Sequence, residues 1–321
     1  MFAKISGTGS YLPKKVLYNN DIAKMVETSD EWITQRVGIR QRHIASEEES
    51  TVMMAVNAAR NAMSMAKVNA SDIDLIIVAT GTADYIMPST ASIVQAQINA
   101  PWCPAFDISA ACSGFVYAVD IAKQYIENGS AANALVIASE RMSRTLDWSD
   151  RATCVLFGDG AGAVVLSQSN TPGILASALF SDGTGKDILN IPGLLSKTPF
   201  SCAQFDAKLY MEGHKVFKKA VSTLSDLVTT LLKKAKLNSS NIDWLVPHQA
   251  NYRILEATAK KLNMPMSQVI ITLETHGNTS AASIPLALDY AVRGGLIVPG
   301  QTILTEAFGA GLVWGGFIAR L

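Results

Sequence analysis

The chain repeats itself. Residues 66–74 read AKVNASDID and residues 235–243 read AKLNSSNID, six identities in nine at an offset of 169. Each copy runs into an apolar strand candidate, Leu75–Val78 in the first and Trp244–Val246 in the second. At the same offset Ala118, Asp120 and Ala122 fall on Ala287, Asp289 and Ala291, inside a second helix-like stretch. Each half then closes on a strand and a glycine turn, Phe157-Gly-Asp-Gly160 and Phe308-Gly-Ala-Gly311, at an offset of 151, so the first half carries about 18 extra residues after Glu140. A repeat constrains the fold more than any single motif does, because both copies must build the same supersecondary unit. Both halves alternate short β-branched runs with helical patterns, which calls for parallel strands joined by crossover helices. The expectation is an α/β duplication with halves at 1–172 and 173–321.

Composition narrows what such a duplication does. Apolar residues make up 49% and charged residues 17% of 321, with 27 Lys+Arg balanced by 27 Asp+Glu, which argues against intrinsic disorder and against a general nucleic-acid-binding surface. Cys103, Cys112, Cys154 and Cys202 stand at spacings of 9, 42 and 48, which fit no CxxC pair and no zinc pattern, so no metal is expected and the thiols read as reduced, in a cytoplasm. Met1 to Lys15 carries glycines and a proline rather than an apolar run behind basic residues, so no secretory signal is read there. The longest strongly apolar uncharged stretch, Ala307 to Ala319, is 13 residues with four glycines, too short to cross a bilayer. The expectation is a soluble protein with no membrane partner.

Ala105 to Ile108 reads as a buried strand, and Phe115, Val116, Val119, Ala122 and Ile126 follow at helical spacing. Cys112, in Ser109-Ala-Ala-Cys-Ser-Gly114, therefore lies where a strand turns into a helix. Free N–H groups and partial positive charge at a helix start favour thiolate over thiol, which would activate Cys112 as a nucleophile. The plainer alternative is a small buried apolar residue. Cys103, Cys154 and Cys202 lack that setting and read as structural. His248 follows Trp244-Leu-Val-Pro247 and projects from the C-terminal end of a strand, where open α/β sheets place ligand-handling groups; the alternative is a satisfied core histidine. Asn278, in Thr275-His-Gly-Asn-Thr-Ser280, has an equally plain alternative as a turn or capping residue, and His276 reads as a loop residue or one behind the site. Pro285 suits the first turn of a helix running to about Val292.

The repeat offset links these positions. It sets Ala79 opposite His248 and Ser109 opposite Asn278, so a pseudo-two-fold axis would carry the Cys112 turn and both loops toward one centre. Asparagine neither takes nor gives a proton, so a Cys, His and Asn set is one nucleophile plus two hydrogen-bond donors. Such donors stabilise negative charge developing on oxygen, and removing one typically costs about 3–4 kcal/mol of barrier. Chemistry through an enolate or a tetrahedral oxyanion fits.

Gly158-Asp-Gly-Ala-Gly162 looks like a phosphate loop but runs into Ala163–Leu166, a strand, so it reads as a tight turn rather than a dinucleotide fingerprint. Residues 208–261 hold ten Lys/Arg and four Asp/Glu, a local +6 next to His248 that would attract a phosphorylated or acidic partner. A solvated helix face around Lys233, Lys234 and Lys236 accounts for part of it. The 180–210 segment, with Gly183, Gly185, Pro192, Gly193 and Pro199, reads as a long irregular connection that covers something.

Taken together, Gly7-Thr-Gly-Ser-Tyr-Leu-Pro13, Asp30-Glu-Trp-Ile33 with Arg36 and Gly38-Ile-Arg40, Ala110-Ala-Cys112, Phe157-Gly-Asp-Gly-Ala-Gly162, Val246-Pro-His-Gln-Ala-Asn251 and His276-Gly-Asn-Thr-Ser-Ala-Ala282 are highly specific. They resemble the β-ketoacyl-acyl carrier protein synthase III family, the initiating condensing enzymes of bacterial fatty acid synthesis, and the likeness runs the length of the chain. The resemblance implies the thiolase fold, a five-layered αβαβα arrangement with internal duplication of two similar halves, and a homodimer. It implies that Cys112, in the first half, takes an acyl group from acyl-coenzyme A, with acetyl the expected primer. His248 and Asn278, in the second half, would bind the thioester carbonyl of malonyl-acyl carrier protein while loss of carbon dioxide creates the nucleophilic carbon. No cofactor is implied, coenzyme A thioester being a substrate. The oxyanion at the attacked carbon would be held by the Cys112 N–H and a backbone N–H of the turn containing Ala310, with Phe308 shielding the site.

By the same resemblance Trp32 stacks on the coenzyme A adenine, Arg36 and Arg151 lie near its nucleotide end, and Gly213, Phe217 and Asn251 line the pantetheine tunnel. Gln249, Ala250, Asn251, Tyr252 and Arg253 form the carrier-protein docking element. Two departures stand out. Many members have glycine where Ala310 stands, and a positive φ there would strain an alanine, although the N–H survives. Met87 occupies a spot where acetyl-using members carry an aromatic residue that reaches the partner subunit's acyl pocket, and a flexible Met could admit a longer or branched primer. The alternatives are a thiolase-fold relative of polyketide or quinolone synthesis, a Cys-His-Asn hydrolase, and a non-catalytic carrier-protein-binding relative. A degradative thiolase would need a second cysteine near the final glycine turn, and Ala307 to Gly316 has none.

Overall fold

The computed structural model describes residues 1–193 and 208–321. Cys202 and Pro199 lie outside the described residues. Two sheets organise the chain. The first holds β1 (Phe2–Tyr11), β2 (Leu75–Ala79), β3 (Ala105–Ile108), β4 (Asn133–Arg141) and β5 (Asp159–Ser169), in the order β1-β5-β4-β2-β3. The second holds β6 (Ile174–Ser181), β7 (Trp244–Pro247), β8 (Thr302–Gly309) and β9 (Val313–Arg320), in the order β7-β8-β9-β6. Read from β6, the second sheet repeats the first strand for strand. The counterpart of β3 has shrunk to one parallel bridge, Leu245 to Val269. In both sheets the pairs toward the β3 or β7 edge run parallel and the pairs toward β1 or β6 run antiparallel.

The sequence repeat builds the same corner twice. A long helix, Thr51–Ala66 or Gly213–Ala235, ends on a lysine in the left-handed region, Lys67 at φ 55° and Lys236 at φ 56°. A short turn follows, closed by reciprocal side-chain caps between Asn69 and Asp72 in one copy and Asn238 and Asn241 in the other. The shared aspartates then tie the corner to the next strand: Asp74 accepts from the Ala132 and Asn133 N–H groups, and Asp243 accepts from the Thr302 N–H at 2.7 Å. The residues identical between copies are thus those that end a helix and start a strand.

Both mixed sheets are covered on both faces. Leu75, Ile77 and Ala79 of β2 face the middle of the molecule, while Ile76 and Val78 face the outer helices Thr51–Ala66 and Thr90–Ile98. The middle layer consists of Gly114–Glu127 and Ser283–Arg293, packed between the inner faces of the two sheets. Gly213–Ala235 and Tyr252–Lys261 cover the far side of the second sheet. This is the five-layered αβαβα arrangement. Polar locks cross between the halves: the Thr8 hydroxyl donates to Asp289 at 2.7 Å, and the Ser177 hydroxyl donates to Asp120. Thr8 and Ser177 are themselves 169 residues apart, as are Asp120 and Asp289.

Two expectations need correction. Phe157 and Phe308 are not equivalent: Phe308 lies in β8, the counterpart of β4, whereas Phe157 precedes β5. The extra residues of the first half lie between β4 and β5 and carry the small helix Arg151–Cys154. Nor is Gly158–Gly162 a tight turn, since Asp159 already begins β5 and none of its glycines has a positive φ. Its glycines serve close approach: a Cβ on Gly162 would stand 2.7 Å from the Leu286 N of the central helix. Among the described residues no helix is long and apolar enough to cross a membrane.

Candidate active site

Cys112 sits in the turn Ala111–Ser113 between β3 and the helix Gly114–Glu127. Ala111 holds a φ of 45°, a conformation L side chains disfavour, and so aims the next residue out of line. A Cβ on Gly309 would stand 2.7 Å from Cys112 N, so only glycine lets the end of β8 lie against the nucleophile's backbone. The helix start was expected to make Cys112 a thiolate. Instead, burial pushes the thiol up to about 11, the nearby Glu140 charge adds to the rise, and the Ser280 hydroxyl opposes it. The turn places the sulfur ahead of the helix, half-buried in the cavity wall, where desolvation works against the dipole. The resting nucleophile is a thiol.

His248 follows the last residue of β7, and its N–H donates to Glu306 O at 2.8 Å. Its Nδ1 lies 2.6 Å from Ser283 Oγ, and that hydroxyl oxygen also accepts the Gln249 N–H at 3.3 Å. With the Ser283 hydroxyl donating to Nδ1, the ring's hydrogen sits on Nε2, which makes Nε2 a donor. Burial pushes the imidazole down to about 4, so it is neutral near pH 7. Asn278 follows Gly277, whose φ of 68° turns the chain. Its backbone is clamped by Asn278 N–H to Leu156 O at 2.9 Å and Gly158 N–H to Asn278 O at 3.0 Å. The Asn278 Oδ1 accepts the Ser280 N–H at 2.9 Å, which leaves the Nδ2 hydrogens for a ligand.

These side chains meet in a cavity of about 650 Å³ whose wall includes Cys112, His248, Asn278, Phe308 and Ala310. Trp32, Arg36, Arg151, Gly213, Phe217, Ala250, Asn251 and Arg253 line the same space, as do Leu189, Asn190, Leu209 and Met211 from the ends of the irregular connection. The insertion between β4 and β5 adds Met142, Val155, Leu156 and Phe157. The Arg151 guanidinium stands 5.0 Å from the Trp32 ring centre, a cation–π pair. Asn251 Oδ1 caps the helix Tyr252–Lys261 by accepting the Arg253 N–H at 2.9 Å. Tyr252 and Arg253 are exposed beside it.

Two further expectations, a docking role for Gln249 and strain at Ala310, fail. Gln249 cannot dock a partner: it is 1% exposed, and its carboxamide is used up by Pro247 O, Ile270 O and the N–H groups of Thr272 and Leu273. Ala310 carries no positive φ; the left-handed positions are Gly311 at 74° and Leu312 at 40°, so alanine at 310 is unstrained. Met87 is 80% exposed and does not line the cavity of the single chain. His276 lies behind the site, its ring 6.2 Å from that of His43. Cys154 is buried in the core and Cys103 is half-buried, with burial raising both thiols. Sequence reasoning missed Glu140, Ser280 and Ser283, which surround the Cys112 sulfur and the His248 ring. Among the described residues no cluster of His, Cys, Asp or Glu is placed to hold a metal.

Comparison with known proteins shows the family. Residues 106–183 match the family described as 3-oxoacyl-[acyl-carrier-protein] synthase III, and residues 232–321 match its C-terminal family. A β-ketoacyl-[acyl-carrier-protein] synthase III of Aliivibrio fischeri is 53% identical over 320 residues, covering 100% of both chains. The crystal structure of 3-oxoacyl-[acyl-carrier-protein] synthase III from Aquifex aeolicus superposes with a TM-score of 0.93 at 46% identity, over 99% of this chain and 100% of that one. The priming β-ketosynthase of the R1128 polyketide pathway superposes with a TM-score of 0.94 at 36% identity, over 100% of this chain and 96% of that one.

Proposed function

The chain belongs to the β-ketoacyl-[acyl-carrier-protein] synthase III family, and from that premise we propose how its residues divide the reaction. It is an acyltransferase that condenses an acyl-coenzyme A primer with malonyl-acyl carrier protein and so initiates fatty acid synthesis. Its two halves, 1–172 and 173–321, act as units that meet at the site, the first supplying Cys112 and the second His248 and Asn278. The observation that carries this reading is that one nucleophile and two hydrogen-bond donors line a single cavity.

Cys112 attacks the primer thioester and becomes acylated, with acetyl the expected primer. The oxyanion formed there is met by backbone N–H groups of Cys112 and the Gly309–Gly311 turn, which Gly309 brings into contact. Malonyl-acyl carrier protein then places its thioester carbonyl against His248 Nε2–H and Asn278 Nδ2–H. Departure of carbon dioxide leaves an enolate, and the two donors hold its charge. A neutral imidazole suits this role, because it donates a hydrogen bond without protonating the carbon that must attack. Phe308 shields the acyl-enzyme. No cofactor takes part, since decarboxylation supplies the carbanion.

Trp32 and Arg151 receive the adenine end of coenzyme A, with Arg36 beside them, and Gly213, Phe217 and Asn251 guide the pantetheine. Tyr252 and Arg253, with the exposed Lys215, Lys218 and Lys219 nearby in sequence to Gly213, offer positive charge to an acidic carrier protein. A cytoplasmic homodimer completes the reading, with the exposed Tyr85, Ile86 and Met87 facing the partner and Met87 tuning primer size. Incubation of Cys112→Ser with labelled acetyl-coenzyme A tests the core assignment. No thioester-bound label is expected, and label retained as thioester would refute Cys112 as the nucleophile.

A further inference from the structure

Acylation turns the Cys112 thiol into a thioester, so the sulfur has to lose a proton. His248 is a poor acceptor: its Nδ1 is taken by Ser283, and burial has weakened its hold on a second proton. Another group is in place. Ser280 Oγ lies 3.5 Å from Cys112 Sγ and 3.1 Å from Glu140 Oε1. Glu140 is buried and lines the cavity. Its other oxygen accepts from the Thr82 hydroxyl at 2.5 Å, the Gly81 N–H at 3.1 Å and the Thr80 hydroxyl at 3.4 Å.

All four partners can donate, which suits a carboxylate, and the Ser280 hydroxyl can also accept, so it can hand a proton to Glu140 and take it back. Burial meanwhile raises the proton affinity of Glu140, which makes it a base rather than a spectator. The backbone brings the two ends together deliberately. Ala111 and Ser280 are 169 residues apart and both hold the left-handed conformation, at φ 45° and 51°. Strain of this kind persists where surrounding structure imposes it, and here it sets the nucleophile's turn against the hydroxyl's turn across the pseudo-two-fold.

We propose that Ser280 and Glu140 form a proton relay for Cys112. As Sγ attacks the thioester carbonyl, its proton passes to Ser280 Oγ while the Ser280 proton passes to Glu140 Oε1. The Sγ–C bond forms, the C–S bond to coenzyme A breaks, and coenzyme A leaves as a thiolate with the electron pair and takes a proton from water. When condensation later expels the Cys112 sulfur as a thiolate, Glu140 returns the stored proton by the same path. The cycle ends as it began, with a thiol and a carboxylate. The relay rests on the acyl-transfer reading of Cys112 and adds the fate of its proton.

The groups facing Glu140 are the Cys112 thiol and the hydroxyls of Thr80, Thr82 and Ser280; Arg144 donates to the Thr82 and Ala83 carbonyls and pairs with Asp84 at 3.5 Å, and His248 and Asn278 share the cavity. The test is rapid-quench measurement of the two half-reactions in the full chain. Glu140→Gln should slow acylation by acetyl-coenzyme A about 100-fold at pH 7, the scale of a lost general base. Its acylation rate should then climb about tenfold per pH unit toward alkaline pH, as the thiol ionises unaided. Condensation of enzyme loaded beforehand should fall by less than tenfold, because there the sulfur leaves rather than attacks. Ser280→Ala should show the same split and keeps the test alive if Glu140→Gln fails to fold. Acylation within threefold of the parent, equal losses in both half-reactions, or no alkaline recovery would overturn the relay while leaving Cys112 the nucleophile.

Discussion

Ser283→Ala puts the division of labour within the site at risk. Ser283 Oγ is 2.6 Å from His248 Nδ1 and accepts the Gln249 N–H, and both histidine and serine are buried. Deleting the hydroxyl leaves the Nδ1 of a buried ring unpaired, which costs about 1–3 kcal/mol. It also removes the group that keeps the ring hydrogen on Nε2. If the ring's loss of orientation is felt in full at the transition state, decarboxylation falls roughly 10- to 100-fold, at about 1.4 kcal/mol per factor of ten. Acylation of Cys112 should stay within about threefold, because the donors for that step are backbone N–H groups. The assay follows carbon dioxide release from malonyl-acyl carrier protein on acyl-loaded enzyme, alongside quenched-flow acylation of free enzyme. Unchanged carbon dioxide release, or acylation falling as far as decarboxylation, would refute the claim that Ser283 acts through the His248 tautomer.

Glu306 is fully buried, its Oε2 has no partner, and burial pushes its carboxyl up to about 8 from 4.5. The folded chain therefore holds this proton up to about pH 8 while the unfolded chain releases it above 4.5, so this contribution to stability is present below pH 4.5 and lost between 4.5 and 8. Glu306→Gln should unfold at higher denaturant than the parent at pH 8, by on the order of 3–5 kcal/mol, and show little gain at pH 4.5; an equal gain at both would refute a titration effect. Trp32→Ala removes the ring beneath Arg151 and should raise KM for acetyl-coenzyme A roughly 10-fold with kcat unchanged, a loss of about 1–2 kcal/mol of uniform binding. A fall in kcat at unchanged KM would place Trp32 elsewhere than on the adenine.

Much of the fold was legible because the repeat is written in residues that form backbone corners. Asn69, Asp74, Asn238 and Asp243 bond to main chain, so their identity survives between copies while the strands beside them drift. The offset could carry Cys112, His248 and Asn278 toward one centre, because each stands near a strand end or helix start that the repeat locates, while their roles came from the family resemblance. What stayed hidden is what burial decides. The thiol's proton affinity reflects removal from water by the second half of the chain, which the local helix-start pattern does not record. Gln249 looked like a docking residue among exposed neighbours, yet four backbone groups consume its carboxamide. Ser280 left a usable trace: stepping the offset two residues beyond Asn278 and Ser109 pairs it with Ala111, next to the nucleophile.

The pattern of what the two halves share and what they do not explains why the duplication yields one site per chain. The locks Thr8 to Asp289 and Ser177 to Asp120 keep a hydroxyl-to-aspartate pair under the offset, each holding a central helix to the sheet of the other half. The reactive positions do not. Cys112 maps onto Ala281, His248 onto Ala79 and Asn278 onto Ser109, so each reactive group survives on one side of the axis only. Ala79 and Ala281 are fully buried in the central core, and a Cβ on Gly114 would lie 2.9 Å from the Ala79 Cβ and 3.4 Å from that of Ala281. A second imidazole at position 79 would thus have to displace the packing that seats the nucleophile's own helix. The small residues at the mirrored positions are therefore part of the site: they leave room for one nucleophile turn from the first half to meet one donor pair from the second.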